Sequence, residues 1–332
     1  MIWRAFLFPR FHLISTPTPL EKAERLSKEF GIELYIKRDD VMELAFGGNK
    51  ARKLEFLLGD AISRGCDTLI TVGAYHSNHV RLTIAAARKA GMDAYAVLTP
   101  PGEPEIQGNL FLDKLLGGHI LYAGDRDEAE KIMKELAEQL TSQGKKPYVI
   151  PGGGANAYGV LGYVVASLEI MQQLYSLGKK PNYIIHATGT GATQAGLVLG
   201  LKLIGVDEVN VIGVSVGRPK FESEERILKL INECARLMGV DVPVSEEDVK
   251  VVDNYTFGGY GVITKEVFDT MKYVAEKEAI ILDPVYTSKA MYGLMDMVRN
   301  GEIEKGSTVV FIHTGGTPIP FQKMSDLSKY LE

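Results

Sequence analysis

Apolar positions along this chain follow two rhythms that alternate almost without interruption. Short continuous apolar runs occupy residues 32–37, 68–73, 94–98, 119–122, 148–150, 183–187, 209–216 and 308–313. Between them, over 21–30, 77–90, 106–116, 127–142, 159–177, 192–204, 222–238, 262–278 and 288–299, the pattern is that of helices with one apolar face. The short runs predict strands covered on both sides. Gly31, Gly91 and the pair Gly117-Gly118 stop three of the predicted helices.

Strict alternation of strand and helix predicts parallel sheet with right-handed crossovers. The units are too numerous for one small sheet. Eight such units could close into a barrel, but uneven spacing and glycine-rich turns favour open sheets. The predicted fold class is therefore α/β, with two doubly wound open-sheet domains: a smaller one near 51–169 and a larger one after it. Open sheets of this kind bind ligands at the carboxyl ends of their strands, so the turns there are where chemistry is sought.

One such stretch is Gly47-Gly48-Asn49-Lys50, which leads into a helix whose apolar face carries Leu54, Leu57, Leu58, Ala61 and Ile62. Lys50 falls in the first helical turn, where the dipole opposes its charge, which points to a lysine placed for chemistry. Thr188-Gly189-Thr190-Gly191-Ala192-Thr193 joins a buried strand to a helix. Successive backbone N–H groups, threonine hydroxyls and a helix N-terminus suit a phosphate. No Gly-Lys-Ser/Thr follows and no dinucleotide fingerprint is present, so a small phosphate monoester fits better than a nucleotide. In Tyr75-His76-Ser77-Asn78-His79, Ser77 reads as a helix N-cap crowded by further polar side chains. Tyr260, in a loop of glycine and aromatic residues, Tyr286, after Asp283-Pro284-Val285, and Thr314, in His313-Thr314-Gly315-Gly316, complete the set. A reactive lysine, a phosphate cradle and hydroxyls at strand ends together suggest pyridoxal 5′-phosphate, which needs a lysine partner and an anion site.

Composition narrows the remaining classes. A net charge of −5 gives no support to a nucleic-acid partner, and no apolar run approaches the length of a membrane span. The first ten residues, interrupted by Arg4, do not read as a signal peptide. Two cysteines far apart and six scattered histidines predict no metal site and a reducing cytoplasm.

These motifs, running in order from Thr18-Pro19-Leu20 and Tyr35-Ile36-Lys37-Arg38-Asp39-Asp40 to His313-Thr314-Gly315-Gly316, cover nearly the whole chain. Together they resemble the pyridoxal-phosphate enzymes that include 1-aminocyclopropane-1-carboxylate deaminase and D-cysteine desulfhydrase, of the tryptophan synthase β-like fold. The resemblance implies that residues 1–50 join 170–332 in the larger, cofactor-binding domain. It implies that Lys50 carries the cofactor as a Schiff base and later moves protons at Cα. Asn78 would hydrogen-bond the cofactor's 3′-oxygen, Thr188 to Thr193 would hold its phosphate, and Thr314 would face the pyridine nitrogen. Ser77, Tyr260 and Tyr286 would surround the substrate carboxylate and reacting carbons. A homodimer acting on a small amino acid is implied as well. Ala192 stands where a second glycine is usual, but it still supplies a backbone N–H. The deaminase pattern has Gln after Ser-Asn and Glu after the tyrosine. Here His79 and Thr287 occupy those places, as in the desulfhydrase pattern, so D-cysteine desulfhydrase is the expected activity and the deaminase the alternative. A non-enzyme that holds a phosphorylated metabolite on the same loop is a third reading, against which Lys50 argues.

Overall fold

The computed structural model describes residues 1–99 and 105–331. Its strands are β1 (Leu20–Lys22), β2 (Glu33–Arg38), β3 (Thr68–Ala74), β4 (Asp93–Thr99), β5 (His119–Tyr122), β6 (Pro147–Ile150), β7 (Tyr183–Thr188), β8 (Asn210–Ser215), β9 (Lys250–Val252) and β10 (Thr308–His313). They form a six-stranded sheet of order β1-β2-β10-β7-β8-β9 and a four-stranded sheet of order β5-β4-β3-β6. Every pairing is parallel except that of β1 with β2. The helices are α1 (Glu24–Phe30), α2 (Asn49–Ser63), α3 (Asn78–Lys89), α4 (Gly108–Leu115), α5 (Arg126–Ser142), α6 (Ala157–Ser176), α7 (Ala192–Leu203), α8 (Lys220–Met238), α9 (Lys265–Glu278), α10 (Thr287–Arg299), α11 (Ile319–Gln322) and α12 (Met324–Ser328).

Three predicted elements differ. The helix expected over 21–30 gives its first residues to β1, because Leu20, Glu21 and Lys22 pair antiparallel with Lys37, Ile36 and Tyr35. Strand β9 was not predicted, since three residues are too few to show a period, yet it pairs with β8 across Ile212↔Lys250. The helix expected from 262 begins at Lys265, because Gly261 keeps a left-handed φ of 78°.

Helix α2 explains how the two sheets are joined. Leu54, Leu57, Leu58 and Ala61 are buried as their spacing predicts, whereas Ile62 is 43% exposed. Arg52, Lys53 and Glu55 on the same helix are buried too, because α6 and α3 pack against it on different sides. Burying charge is tolerated only where it is paired and hydrogen-bonded. Glu55 accepts from Arg10 Nε at 2.8 Å and from the Leu13 N–H at 2.9 Å. The Arg52 guanidinium donates to both Asp39 oxygens at 2.8 and 3.0 Å and to both Glu169 oxygens at 2.8 and 2.9 Å. Lys37 Nζ adds a bond to Glu169 at 2.6 Å, and the Tyr163 hydroxyl donates to Asp39. One buried network thus ties β2, α2 and α6 together.

Burial pushes the Glu169 carboxyl upward, but hydrogen bonds and charge from Arg52, and then from Lys37, outweigh it and hold the pKa down to about 2. A carboxyl held below its ordinary 4.5 contributes stability that is complete above that pH and lost as pH falls toward 2. Glu169→Gln is therefore expected to cost about 3–5 kcal/mol at pH 7, the scale for breaking one side of a buried ion pair. Urea titrations of both chains should converge as pH drops below 4.5. Parallel pH profiles for the two would show that the Glu169 charge does not contribute this stability.

Candidate active site

The site begins where backbone meets backbone. A Cβ on Gly48 would lie 2.9 Å from the Thr314 carbonyl oxygen, and one on Gly315 would lie 2.6 Å from Gly48 Cα. Side chains at these positions would force apart the turn before α2 and the turn after β10. With glycine there, the Asn49 N–H donates to the Thr314 carbonyl at 3.0 Å. Lys50 is thereby fixed at the carboxyl end of β10, with its Nζ 3.1 Å from Asn49 Oδ1. Burial lowers its pKa to about 8 against a raising influence from Asp283. An ammonium shifted toward neutrality is a more usable base.

Opposite lies the turn between β7 and α7. Gly191 caps α7 with a left-handed φ of 89°, and the first-turn N–H groups of that helix have no intrahelical acceptor. Thr193 Oγ1 accepts from Asn49 Nδ2 at 2.9 Å, so its own proton is free to donate. Ala192 is fully buried among core residues, leaving its backbone N–H as the group it can offer. Arg226 Nε donates to the Thr190 carbonyl at 3.0 Å and braces the turn from α8.

A third wall comes from the turn between β3 and α3. Ser77 Oγ accepts from the Val80 N–H at 3.3 Å as the expected N-cap. Asn78 Oδ1 accepts from Arg81 at 3.1 Å and from Asn109 at 2.9 Å, which leaves its amide nitrogen for the cavity. Tyr260 and Tyr286 meet through their hydroxyls. Burial raises both phenols, Tyr260 to about 12, so both are neutral donors near pH 7. Asp283 holds Tyr286 in place by accepting N–H bonds from Val285, Tyr286 and Thr287, each at 2.9 Å.

These groups line one cavity of about 1100 Å³. Lys50, Ser77, Asn78, Thr188, Gly189, Thr190, Gly191, Thr193, Tyr260, Tyr286 and Thr314 all face it, and Ala192 lies just behind. The donor set fits pyridoxal 5′-phosphate: an amine, a helix N-terminus with a free threonine proton, an unengaged asparagine amide and a neutral hydroxyl at Thr314. Thr287 does not reach the cavity. It is fully buried, and its hydroxyl donates to Asp283 at 2.8 Å. His79 shares a hydrogen bond of 2.8 Å with Thr71, which holds its ring against the cavity floor.

Two further cavity residues were missed by the sequence reading. Lys53 is buried and makes one long contact, 3.5 Å to the Gly153 carbonyl. Burial, and then the charge of Lys50, push its pKa well down. Its spacing of three from Lys50 on a helix was the available signal. His76 is buried with both ring nitrogens unpartnered, stacked on Tyr260 at 5.3 Å. No sequence signal separates it from an ordinary turn histidine. Among the described residues, no cluster of His, Cys, Asp and Glu is placed to hold a metal, and no helix is long and apolar enough to cross a membrane.

The sequence profile of the family described as "Pyridoxal-phosphate dependent enzyme" matches residues 12–315. A Pyrococcus horikoshii protein provisionally named 1-aminocyclopropane-1-carboxylate deaminase is 48% identical over 311 residues, covering 93% of this chain and 92% of that one. A D-cysteine desulfhydrase of Salmonella paratyphi C is 41% identical over 319 residues, covering 95% and 96%. The crystal structure of an ACC deaminase homologue superposes with a TM-score of 0.92 at 44% identity, covering 99% of this chain and 98% of that one. Threonine deaminase isoform 2 of Solanum lycopersicum, 21% identical with a TM-score of 0.72 over 99% and 86% of the two chains, shares the fold.

Thr193→Val removes a side-chain proton that the α7 turn has free while keeping its shape. Cofactor titration of the stripped protein is expected to show affinity weaker by about 1–3 kcal/mol, the scale for a lost hydrogen bond to a charged group. Unchanged affinity would place the phosphate away from this turn.

Proposed function

Because the chain belongs to the family of pyridoxal-phosphate dependent enzymes, we propose that it catalyses β-elimination on a small D-amino acid. D-Cysteine and one water would give pyruvate, sulfide and ammonia. The observation that carries this reading is the convergence of Lys50, Ser77 and the Tyr260–Tyr286 hydroxyl pair on one cavity, with the α7 N-terminus also facing it. Pyridoxal phosphate, when bound, supplies the electron sink that makes an amino acid's Cα proton acidic.

The chain's own residues do the rest. Lys50 would hold the cofactor and, once free, would remove the proton from the amino acid's Cα. Thr188 to Thr193 would hold the phosphate, and Lys53 faces the same cavity. Asn78 would offer its free amide proton to the cofactor's 3′-oxygen, and Thr314 would offer the pyridine nitrogen a neutral hydroxyl, a weaker sink that suits a reaction whose leaving group drains charge early. Ser77, Tyr260 and Tyr286 orient the substrate carboxylate and its β-substituent. Residues 51–169 form the smaller domain in this scheme, and 1–50 with 170–332 the larger.

Ring opening of 1-aminocyclopropane-1-carboxylate is the second reading, since relatives carry both names. Its Cα bears no hydrogen, so a proton donor or nucleophile must act at the ring carbons, and Ser77 and Tyr286 are the groups available. What favours elimination is the engagement of Thr287 with Asp283, which puts no glutamate beside Tyr286.

Side-by-side assays decide between them. Sulfide and pyruvate release from D-cysteine is expected with a higher kcat/KM than 2-oxobutyrate release from the cyclopropane, and with little turnover of L-cysteine. Dominant 2-oxobutyrate would reverse the ranking. Lys50→Ala should still bind pyridoxal phosphate, yet borohydride should no longer fix it to the protein. A variant that retains fixation and turnover would remove Lys50 from the mechanism.

We also propose a homodimer. Phe111 and Leu115 on α4, with Phe321 on the neighbouring α11, are all at least half exposed and form an apolar strip. Light scattering is expected to give twice the chain mass, and Phe111→Asp with Phe321→Asp to give one. A monomeric parent chain would refute the proposal.

A further inference from the structure

Lys289 is fully buried, yet among the described residues no carboxylate neutralises it through a direct contact. Its Nζ donates to two backbone carbonyls, Thr256 and Gly259, each at 2.7 Å. Those carbonyls also close two successive turns: Gly259 N–H donates to Thr256 at 3.1 Å, and Val262 N–H to Gly259 at 3.4 Å. The loop between them needs such help. Phe257, Gly258, Gly259 and Gly261 all have left-handed φ angles, of 53°, 92°, 137° and 78°. For Phe257 that conformation is disfavoured, and three glycines leave the unfolded loop many alternatives.

Helix α10 offers one face to this loop. Lys289, Gly293 and Asp296 follow one another at spacings of four and three, one stripe of a helix. The Tyr255 hydroxyl donates to Asp296 at 3.0 Å. Its ring packs against Gly293, where a Cβ would come within 2.8 Å of it. Tyr286, at the start of the same helix, meets the hydroxyl of Tyr260. Tyr260 is thus carried by a loop that α10 grips through Tyr255 and through Lys289, and it stacks on His76 of the smaller sheet.

We propose that Lys289 is a positioning residue for Tyr260: its buried ammonium organises the two carbonyls of the glycine loop and so sets the register that brings Tyr260 to Tyr286 and the cavity. An aliphatic side chain of the same length would pack equally well but leave both carbonyls one donor short and the loop without its charge-assisted anchor. The lysine acts only through the loop. Its importance to turnover rests on the reading of Tyr260 as a substrate-facing group, whereas its hold on the loop does not.

Hydrogen exchange resolved to residues 255–262, in cofactor-free protein, tests the hold directly. Lys289→Met should raise exchange at Gly259 and Val262 at least tenfold, while the amides of β10 keep wild-type rates. Lys289→Gln, which retains two N–H donors, should fall between the two. In the loaded enzyme, Lys289→Met should lower kcat for D-cysteine at least tenfold and leave cofactor affinity within twofold. Loop exchange within twofold of wild type in the Met variant overturns the proposal. So does equal loss of protection in β10, which would make Lys289 a general stability residue. Should the Met variant not fold, exchange within twofold of wild type in the Gln variant overturns it. Increased loop exchange in Lys289→Met, beside a parent chain that turns over no D-cysteine, would leave the positioning role standing and remove the reaction assignment instead.

Discussion

Arg52 is the interaction on which the site depends. Its guanidinium lies between Asp39 and Glu169, donating to both oxygens of each. Planar, bidentate pairing of this kind fixes direction as well as distance. Asp39 follows β2 of the larger sheet, Glu169 sits on α6, and Arg52 is two residues beyond Lys50 on α2. The geometry of the pair therefore sets the rotation of α2 about its axis, and with it the direction in which Lys50 points. A hydrophobic substitute could supply equal stability but could not specify that rotation. The contact of Gly48 with Thr314 and Gly315 fixes the other coordinate, how deeply the start of α2 enters the carboxyl end of β10.

The same logic separates the rigid part of the site from the adjustable part. Lys50, Asn78 and Thr193 stand at helix starts whose neighbours are buried and hydrogen-bonded. Tyr260 stands on a loop with an unfavourable backbone. Rigid placement suits groups that hold a phosphate or move one proton, since misplacement of an ångström is costly there. A loop that crosses from the larger sheet to stack on His76 suits a group that meets substrates of different side chains.

Three lysines, Lys50, Lys53 and Lys289, are lowered by the same cause, loss of solvent around the charged form. Their neighbours differ. Lys289 has two carbonyls at 2.7 Å. Lys53 has one carbonyl at the limit of a hydrogen bond, and the charge of Lys50 nearby lowers it further.

Most of the fold was legible in the chain. Strands such as β5 and β10 match their apolar runs to the residue, and helix starts followed Ser77 and the glycine turns, because period and capping are local properties of consecutive residues. The motif residues Lys50, Ser77, Asn78, Thr188 to Thr193 and Thr314 were also visible, since each lies in a short run whose chemistry is readable by itself. What could not be read is what depends on distant partners. Strand β9 exists only because β8 is there to pair with it. Thr287 was legible only as the residue that stands where the deaminase pattern has Glu; that it is bound to Asp283 was not. Lys53 has only its spacing from Lys50 to mark it, and His76 and Lys289 have less; burial and the groups facing them give them their character. The sequence by itself determined which segments are strands and helices and which turns carry reactive groups. Only the tertiary structure decided which of those groups share a cavity and which charges are buried, because burial and pairing across more than a hundred residues are properties of packing.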